Sequence, residues 1–335
     1  MLKKNSYRKL MLAAALLATA ASCARAEQVK LTRNGDAIEV AIGGKPFTTY
    51  HFEPEYSKSF LQPLRDANGT IVTRGIPIGN TIPPDHYHDK ALEPHQRAMY
   101  FAHGDINGYS FWIEEAFKQF YGGHEPKFGR MVFRKIDEMR SGSSSGVIRA
   151  TFDLEGDDQK PFAQETQAFT FHGDKDSRVI DCEFVITAYK DAVHFGDTKE
   201  GTFGIRLAPE LDAPSGQMVN SEGGHGESEV WGKRADWVDV DGEIHGDKLG
   251  VAVFDAPDSF RHPTYWHARG YGLLAANPFG LQYFLADDKN ATNKDGSYTL
   301  PAGQSVKFHY RVLIHEGDYK DAGVAEKYRE FAAHP

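Results

Sequence analysis

The sequence predicts an all-β fold, a large antiparallel β-sandwich with a short C-terminal helix. Three observations predict the β class. Runs of alternating apolar and polar residues recur along the chain. Glycine-containing turn pairs punctuate them. No strand–helix alternation, glycine-rich phosphate loop or G-x-S-x-G elbow is present. Composition agrees: the 335 residues are 40% hydrophobic and 12% aromatic, too rich for a disordered chain and enough for a sizeable core.

In chain order, strands are expected over 37–42, 47–52, 131–136, 147–152, 167–171, 179–188, 203–207, 250–254, 280–285 and 306–314. Asn34-Gly35, Gly43-Gly44, Asn68-Gly69, Gly173-Asp174 and Asp295-Gly296 supply the positive φ that tight turns need. The serine-rich stretch 141–146 reads as a long hairpin loop between two strand-like flanks. A terminal helix is expected over 321–333, capped by Asp321, with Val324, Tyr328 and Phe331 at helical spacing. A second is expected over 112–120. Residues 219–247 are unusually polar and read as a long irregular loop, a kind of segment that is often functional.

Residues 1–26 read as a secretory signal. Lys3, Lys4, Arg8 and Lys9 precede an apolar run over 10–21 that is too short to span a bilayer, and Ala24-Arg25-Ala26 offers small residues for cleavage. The alternative is lipoprotein processing, with a lipid anchor at Cys23. Either way the expected location is periplasmic or secreted, and residues 27–335 are expected to form one β-sandwich domain. Removing five basic residues and no acidic one takes the net charge from −9 to −14. Such acidity argues against nucleic acid or an anionic membrane surface as partner, and no later segment is apolar enough to cross a membrane. Cys182 is then alone, so no internal disulfide forms, and its alternating surroundings make it a buried small residue.

Four constellations carry candidate chemistry. The densest holds His86, His88, Glu93, His95, Arg97 and His103. An H-x-H pair on a strand points both rings one way, so His86 and His88 with His95 are a possible divalent-metal set. The competing reading is a solvated loop, because Pro83-Pro84-Asp85 is a turn, and the cupin pattern that H-x-H suggests lacks its second half. The second runs from Arg261 to Gly280 and includes His262, Trp266, His267, Arg269 and Asn277. Aromatic rings beside Arg and His suit a sugar, whose apolar face stacks while its hydroxyls take hydrogen bonds. A structural tryptophan with stacked arginines is the alternative. The third, around Lys199 and Glu200, offers a carboxylate at the mouth of a strand as general base, or a loop salt bridge. The fourth pairs Trp231 and Trp237 with basic residues, one a ligand platform and the other core.

The chain also resembles the PmoA-like family of unknown function, whose automatic label is "methane oxygenase PmoA". The segments that carry the resemblance are Thr73-Arg74-Gly75, the run from Glu93 through His95, Arg97 and His103 to Gly108, Asp197 to Phe203, Pro263-Thr264-Tyr265-Trp266-His267 and Ala275 to Gly280. They span nearly all of the chain after the leader. The family commonly has a double histidine followed by Arg and Gly, where this chain has His95-Gln96-Arg97-Ala98. The label is not literal, since methane oxygenase subunits of that name are membrane-embedded. The resemblance implies the mutarotase-like sandwich and an association with sugar-degrading and sugar-oxidising proteins.

The resulting expectation is a carbohydrate-active hydrolase, lyase or epimerase acting on a small sugar or glycoside. His95, His103, Glu200 and His267 would supply acid–base chemistry, and Arg97, Arg269, His262, Trp266, Trp231 and Asn277 would bind substrate. No cofactor is called for on this reading. A noncatalytic carbohydrate-binding protein and a metal enzyme on His86, His88 and His95 are the alternatives.

Overall fold

A computed structural model of the chain describes residues 26–75, 93, 95–121 and 126–335. The predicted signal residues up to Arg25, Cys23, and the candidate ligands His86 and His88 lie outside the described residues.

Among the described residues, twenty strands follow in order. They are β1 (Val29–Asn34), β2 (Ala37–Ile42), β3 (Lys45–His51), β4 (Phe60–Leu61), β5 (Met99–Phe101), β6 (Tyr109–Ser110), β7 (Lys127–Phe128), β8 (Arg130–Arg140), β9 (Gly146–Glu155) and β10 (Pro161–Gly173). Then come β11 (Ser177–Ala188), β12 (Val193–Phe195), β13 (Phe203–Arg206), β14 (Gln217–Asn220), β15 (Trp237–Ile244), β16 (Asp247–Asp255), β17 (Trp266–Arg269), β18 (Leu273–Ala276), β19 (Tyr298–Leu300) and β20 (Ser305–Glu316). Two eight-stranded antiparallel sheets dominate, one in the order β1-β2-β3-β4-β5-β13-β18-β17 and the other β14-β15-β16-β20-β11-β10-β9-β8.

The predicted turn chemistry builds the first hairpins. Gly43 and Gly44, both at positive φ, close a two-residue loop between Ile42 and Lys45, which face each other across β2 and β3. The serine-rich stretch 141–146 joins β8 to β9 as expected. Strict alternation in β11 turns Ile180, Cys182, Phe184 and Ile186 inward. The sheets meet through stacked rings, Phe101 on Phe184 at 4.2 Å and Phe203 on Tyr310 at 4.8 Å between centroids. Each such ring contributes ~1.5–3 kcal/mol through burial.

One inward row is polar. Glu165 and Gln167 of β10 face the core, where the Tyr50 hydroxyl and Ser59 Oγ donate to Gln167 Oε1 and Gln167 Nε2 donates to Glu165 Oε1 at 2.7 Å. Burial pushes the Glu165 carboxyl up to about 8.

Several expected elements take a different form. Residues 280–285, expected as a strand, contain a one-turn helix, α2 (Leu281–Phe284), which buries Phe284. Residues 219–247 are not one irregular loop: β14, the short helix α1 (Gly226–Val230) and β15 occupy most of them. The stretch expected as a helix over 112–120 holds a 3-10 helix, Glu115–Tyr121. The terminal helix α3 (Val324–Ala333) begins after Gly323, at φ 64°, rather than at Asp321. Its Val324, Tyr328 and Phe331 pack on Trp237, Phe254 and Leu313 of the second sheet, as the spacing requires.

Candidate functional site

Phe203 points into the sandwich, so its neighbours Gly204 and Arg206 face the other side of the first sheet. Residues directly opposite one another across an antiparallel pair share a face. Pairing of β13 with β5 and β18, and of β18 with β17, therefore lays Tyr100, Gly204, Ala275 and His267 in one row. The next row holds Arg206, Leu273 and Arg269. Small residues stand in the middle of the first row, with a phenol at one end and an imidazole at the other. The Trp112 and Tyr100 rings cover Gly204: a Cβ there would lie 3.0 Å from both Trp112 Cη2 and Tyr100 Cζ, so a larger residue would make a ring give way by a few tenths of an ångström.

The loop before β13 brings Glu200 to this face. Asn277 fixes that loop, its Nδ2 donating to the Thr198 and Lys199 carbonyls at 2.9 Å each while its Oδ1 accepts from Phe279 N. Gly104 N donates to the Glu200 carbonyl at 2.6 Å. Burial raises the Glu200 carboxyl, and the charge of Glu93 raises it further against Lys199 and Arg269. Burial also raises Glu93, opposed by Arg206 and Lys199. Glu93 Oε2 lies 3.4 Å from His95 Nδ1.

The two imidazoles are neutral. Burial, with the cations Lys58, Arg206 and Arg97, holds His95 well below the usual range. Burial, helped by Arg269 and Lys199, takes His267 down to about 3. Its Nδ1 is buried with no hydrogen-bond partner among the described residues.

Two arginines frame the second row. Arg206, pushed down to about 10 by burial and by Arg74, donates to Gln96 Oε1 and lies 4.5 Å from the Tyr271 ring centroid. Arg269 approaches the same ring at 5.6 Å and pairs with Glu227, Nε to Oε1 at 3.0 Å. Tyr271 folds back from the β17–β18 turn, where Gly272 takes φ 84°, and bonds Gln96.

Among the sequence-predicted residues, His95, Glu200, His267 and Arg269 come together here. Trp231 borders the His267 end through Phe284, whose centroid lies 5.4 Å from Trp231 and 6.4 Å from His267. The others have different places, each for a visible reason. Arg97 is committed to Glu114 by two hydrogen bonds of 2.8 and 2.7 Å and is 1% exposed, so it is not a substrate clamp. His103 is enclosed by Phe279 and Gly201, and its Nε2 meets the Gly196 carbonyl at 2.8 Å, so it braces the loop that carries Glu200 rather than facing ligand. Trp266 is a core residue whose indole N–H donates to the Ala235 carbonyl at 2.9 Å. His262 belongs to Asp255, Nδ1 to Oδ2 at 2.9 Å. Asn277 positions the loop instead of binding substrate. Among the described residues, no three His, Cys, Asp or Glu side chains converge as a metal site.

Sequence reasoning did not single out Tyr100, Arg206 and Tyr271, nor Gly204. The alternation of Phe203-Gly204-Ile205-Arg206 held the signal for two of them, because it places Gly204 and Arg206 on one face.

The arrangement therefore offers two carboxyls raised by burial, two neutral imidazoles and two guanidinium groups on one face of the sheet. Such a set can donate and accept protons while holding hydroxyl or keto oxygens in place.

A model for a family of unknown function (DUF6807) matches residues 37–329. No curated protein matches the sequence. Among solved structures, a galactose mutarotase-like protein from Clostridium acetobutylicum is 11% identical, covering 86% of this chain and 98% of its own, with TM-score 0.39. The galactose 1-epimerase from Lactobacillus acidophilus NCFM is 10% identical over 88% of this chain and 100% of its own, with TM-score 0.37. A GH36 alpha-galactosidase from Geobacillus stearothermophilus is 9% identical over 88% of this chain and 42% of its own, with TM-score 0.39. Scores of this size support no statement about activity.

Proposed function

The chain belongs to the DUF6807 family, whose function is unknown, and from its site we propose a carbohydrate-active enzyme that works by acid–base chemistry on a small sugar or glycoside. One observation carries the reading. A carboxyl raised by burial, Glu200, is brought to the sheet face whose one row holds Tyr100, Gly204, Ala275 and His267 and whose next row holds Arg206 and Arg269. Glu200 is the proton donor and Glu93 the partner carboxylate. The neutral rings of His95 and His267 exchange hydrogen bonds with substrate hydroxyls. Arg269, 31% exposed, holds substrate oxygens, for which a planar guanidinium fork is suited, while the buried Arg206, bonded to Gln96, backs the same row. The basic-then-apolar leader adds a second proposal, that the protein is exported before it acts.

Glu200→Gln tests the reaction. A protonated Glu200 is used up as pH rises through its raised value, so wild-type kcat/KM falls on the alkaline side. The glutamine variant cannot titrate, so we expect it to lose turnover by about 100-fold or more and to lose that alkaline limb. Its sugar-dependent rise in melting temperature should persist, because binding does not require the proton. Unchanged turnover in the variant refutes the assignment. A wild type stabilised by sugars yet inert toward glycosides at every pH shows a noncatalytic binder instead.

A further inference from the structure

We infer that the Tyr100 hydroxyl is a substrate-binding donor of this site, hydrogen-bonding a neutral sugar oxygen; the inference rests on the carbohydrate reading and adds a residue to it. Tyr100 is 2% exposed, and its hydroxyl has no hydrogen-bond partner among the described residues. Folded proteins rarely leave such a group unpaired, because its lost hydration is not repaid.

The position of the ring indicates what the hydroxyl serves. It lies across Gly204, where a Cβ would meet Cζ at 3.0 Å and the hydroxyl oxygen at 3.1 Å. It therefore belongs to the same row as His267, at the opposite end. Beneath it sits Lys58, whose Nζ is 4.5 Å from the ring centroid. That ammonium is itself held by the His95 carbonyl at 2.8 Å and by the Trp112 carbonyl. Trp112 closes another side of the ring at 4.8 Å between centroids. The phenol is thus gripped by Lys58, Trp112 and the Gly204 backbone and cannot swing away to find a partner elsewhere.

The groups facing it set the class of acceptor. Glu200, Tyr271, Arg206 and Glu93 all act on the phenol, and burial keeps it protonated, so it is a donor. Placed on the phenol, a carboxylate of the ligand would meet the charge of Glu93, the partner carboxylate, offset in part by Arg206. A hydroxyl, ring or glycosidic oxygen meets no like charge.

Tyr100→Phe removes this one O–H and keeps the ring packing. The test is thermal denaturation of wild type and variant, titrated with neutral sugars and with uronic acids. If Tyr100 binds substrate, the free variant melts at or above wild type, since an unpaired buried group is gone. Its apparent affinity for the neutral sugar that stabilises wild type falls about 5- to 100-fold. A Tyr100→Phe variant that binds this sugar as wild type does overturns the inference while leaving the carbohydrate reading intact. A free variant melting several degrees below wild type also overturns it, because the hydroxyl would then be paired in the free protein. Stabilisation of wild type by uronic acids alone overturns the neutral-oxygen assignment. A wild type that responds to no sugar overturns the carbohydrate reading and this inference with it.

Discussion

Replacing Glu165 by glutamine should stabilise the protein above neutral pH and change little in mild acid. The side chain is 2% exposed, and its one hydrogen bond given by the structure comes from Gln167 Nε2 at 2.7 Å. Burial raises the carboxyl from an ordinary 4.5 to about 8, opposed only by that hydrogen bond. Below pH 4.5 the group is protonated in the folded and unfolded chains alike and contributes no difference. Between 4.5 and about 8 the unfolded chain releases the proton and the folded chain keeps it, so stability falls by roughly 1.4 kcal/mol per pH unit. Over that interval the loss reaches ~5 kcal/mol, an upper figure because the surroundings relax around a buried charge. The added amide N–H groups of glutamine cost ~1 kcal/mol if one stays unpaired. At ~2.1 cal/mol/K of unfolding entropy per residue, the remaining ~4 kcal/mol is a rise in Tm of roughly 6 °C. Circular-dichroism melts of both proteins from pH 4.5 to 8.5 read this directly. We expect the two to coincide or nearly so at pH 4.5 and to separate progressively above it. Equal differences at the two ends, or none at either, would refute the picture of a neutral carboxyl inside the sandwich.

Three further outcomes follow from the placement of other side chains. Arg97→Met leaves the buried Glu114 without its bidentate partner and should cost ~3–5 kcal/mol in urea unfolding, with sugar-dependent stabilisation retained; a stable variant that no longer responds to sugar would restore Arg97 as a clamp. Trp266→Ala should cost ~3–5 kcal/mol with no specific effect on ligand affinity, because the indole is packed in the core and bonded to Ala235; an affinity change without a stability change would contradict its core role. His267→Asn should lower kcat/KM by a similar factor at every pH from 5 to 8, since an imidazole held at about 3 does not titrate there; loss of one limb of the pH profile would show that His267 ionises within that range.

Much of the β architecture was legible in the sequence because strands with one buried face announce themselves by alternation. The twelve-residue β11 is the clearest case, and the Gly43-Gly44 turn fixed the neighbouring register through its positive φ. Failures fell where alternation was not the governing pattern. The segment at 280–285 is helical because Leu281 and Phe284 need only one turn to bury the ring. The polar stretch at 219–247 forms strands because backbone pairing with β14 and β16 outweighs side-chain polarity. For the site, the sequence identified chemically active residues without showing which way they point. Arg97 and Arg269 look equivalent as letters, yet one is sealed against Glu114 and the other is 31% exposed beside Glu227.

By itself the sequence determined the fold class, the turn positions, the acidic charge balance and a short roster of titratable side chains. Those are local properties, set by side-chain size, periodicity and charge within a few residues. Only the tertiary structure decided that Tyr100, Gly204, Ala275 and His267 form one row, with Arg206 and Arg269 in the next. β5, β13 and the β17–β18 hairpin are far apart in the chain, and their register comes from hydrogen-bond pairing across the sheet. A shift of that register by one residue would turn Phe203 outward and Arg206 into the core, so burial of the aromatic face is what places the site where it is.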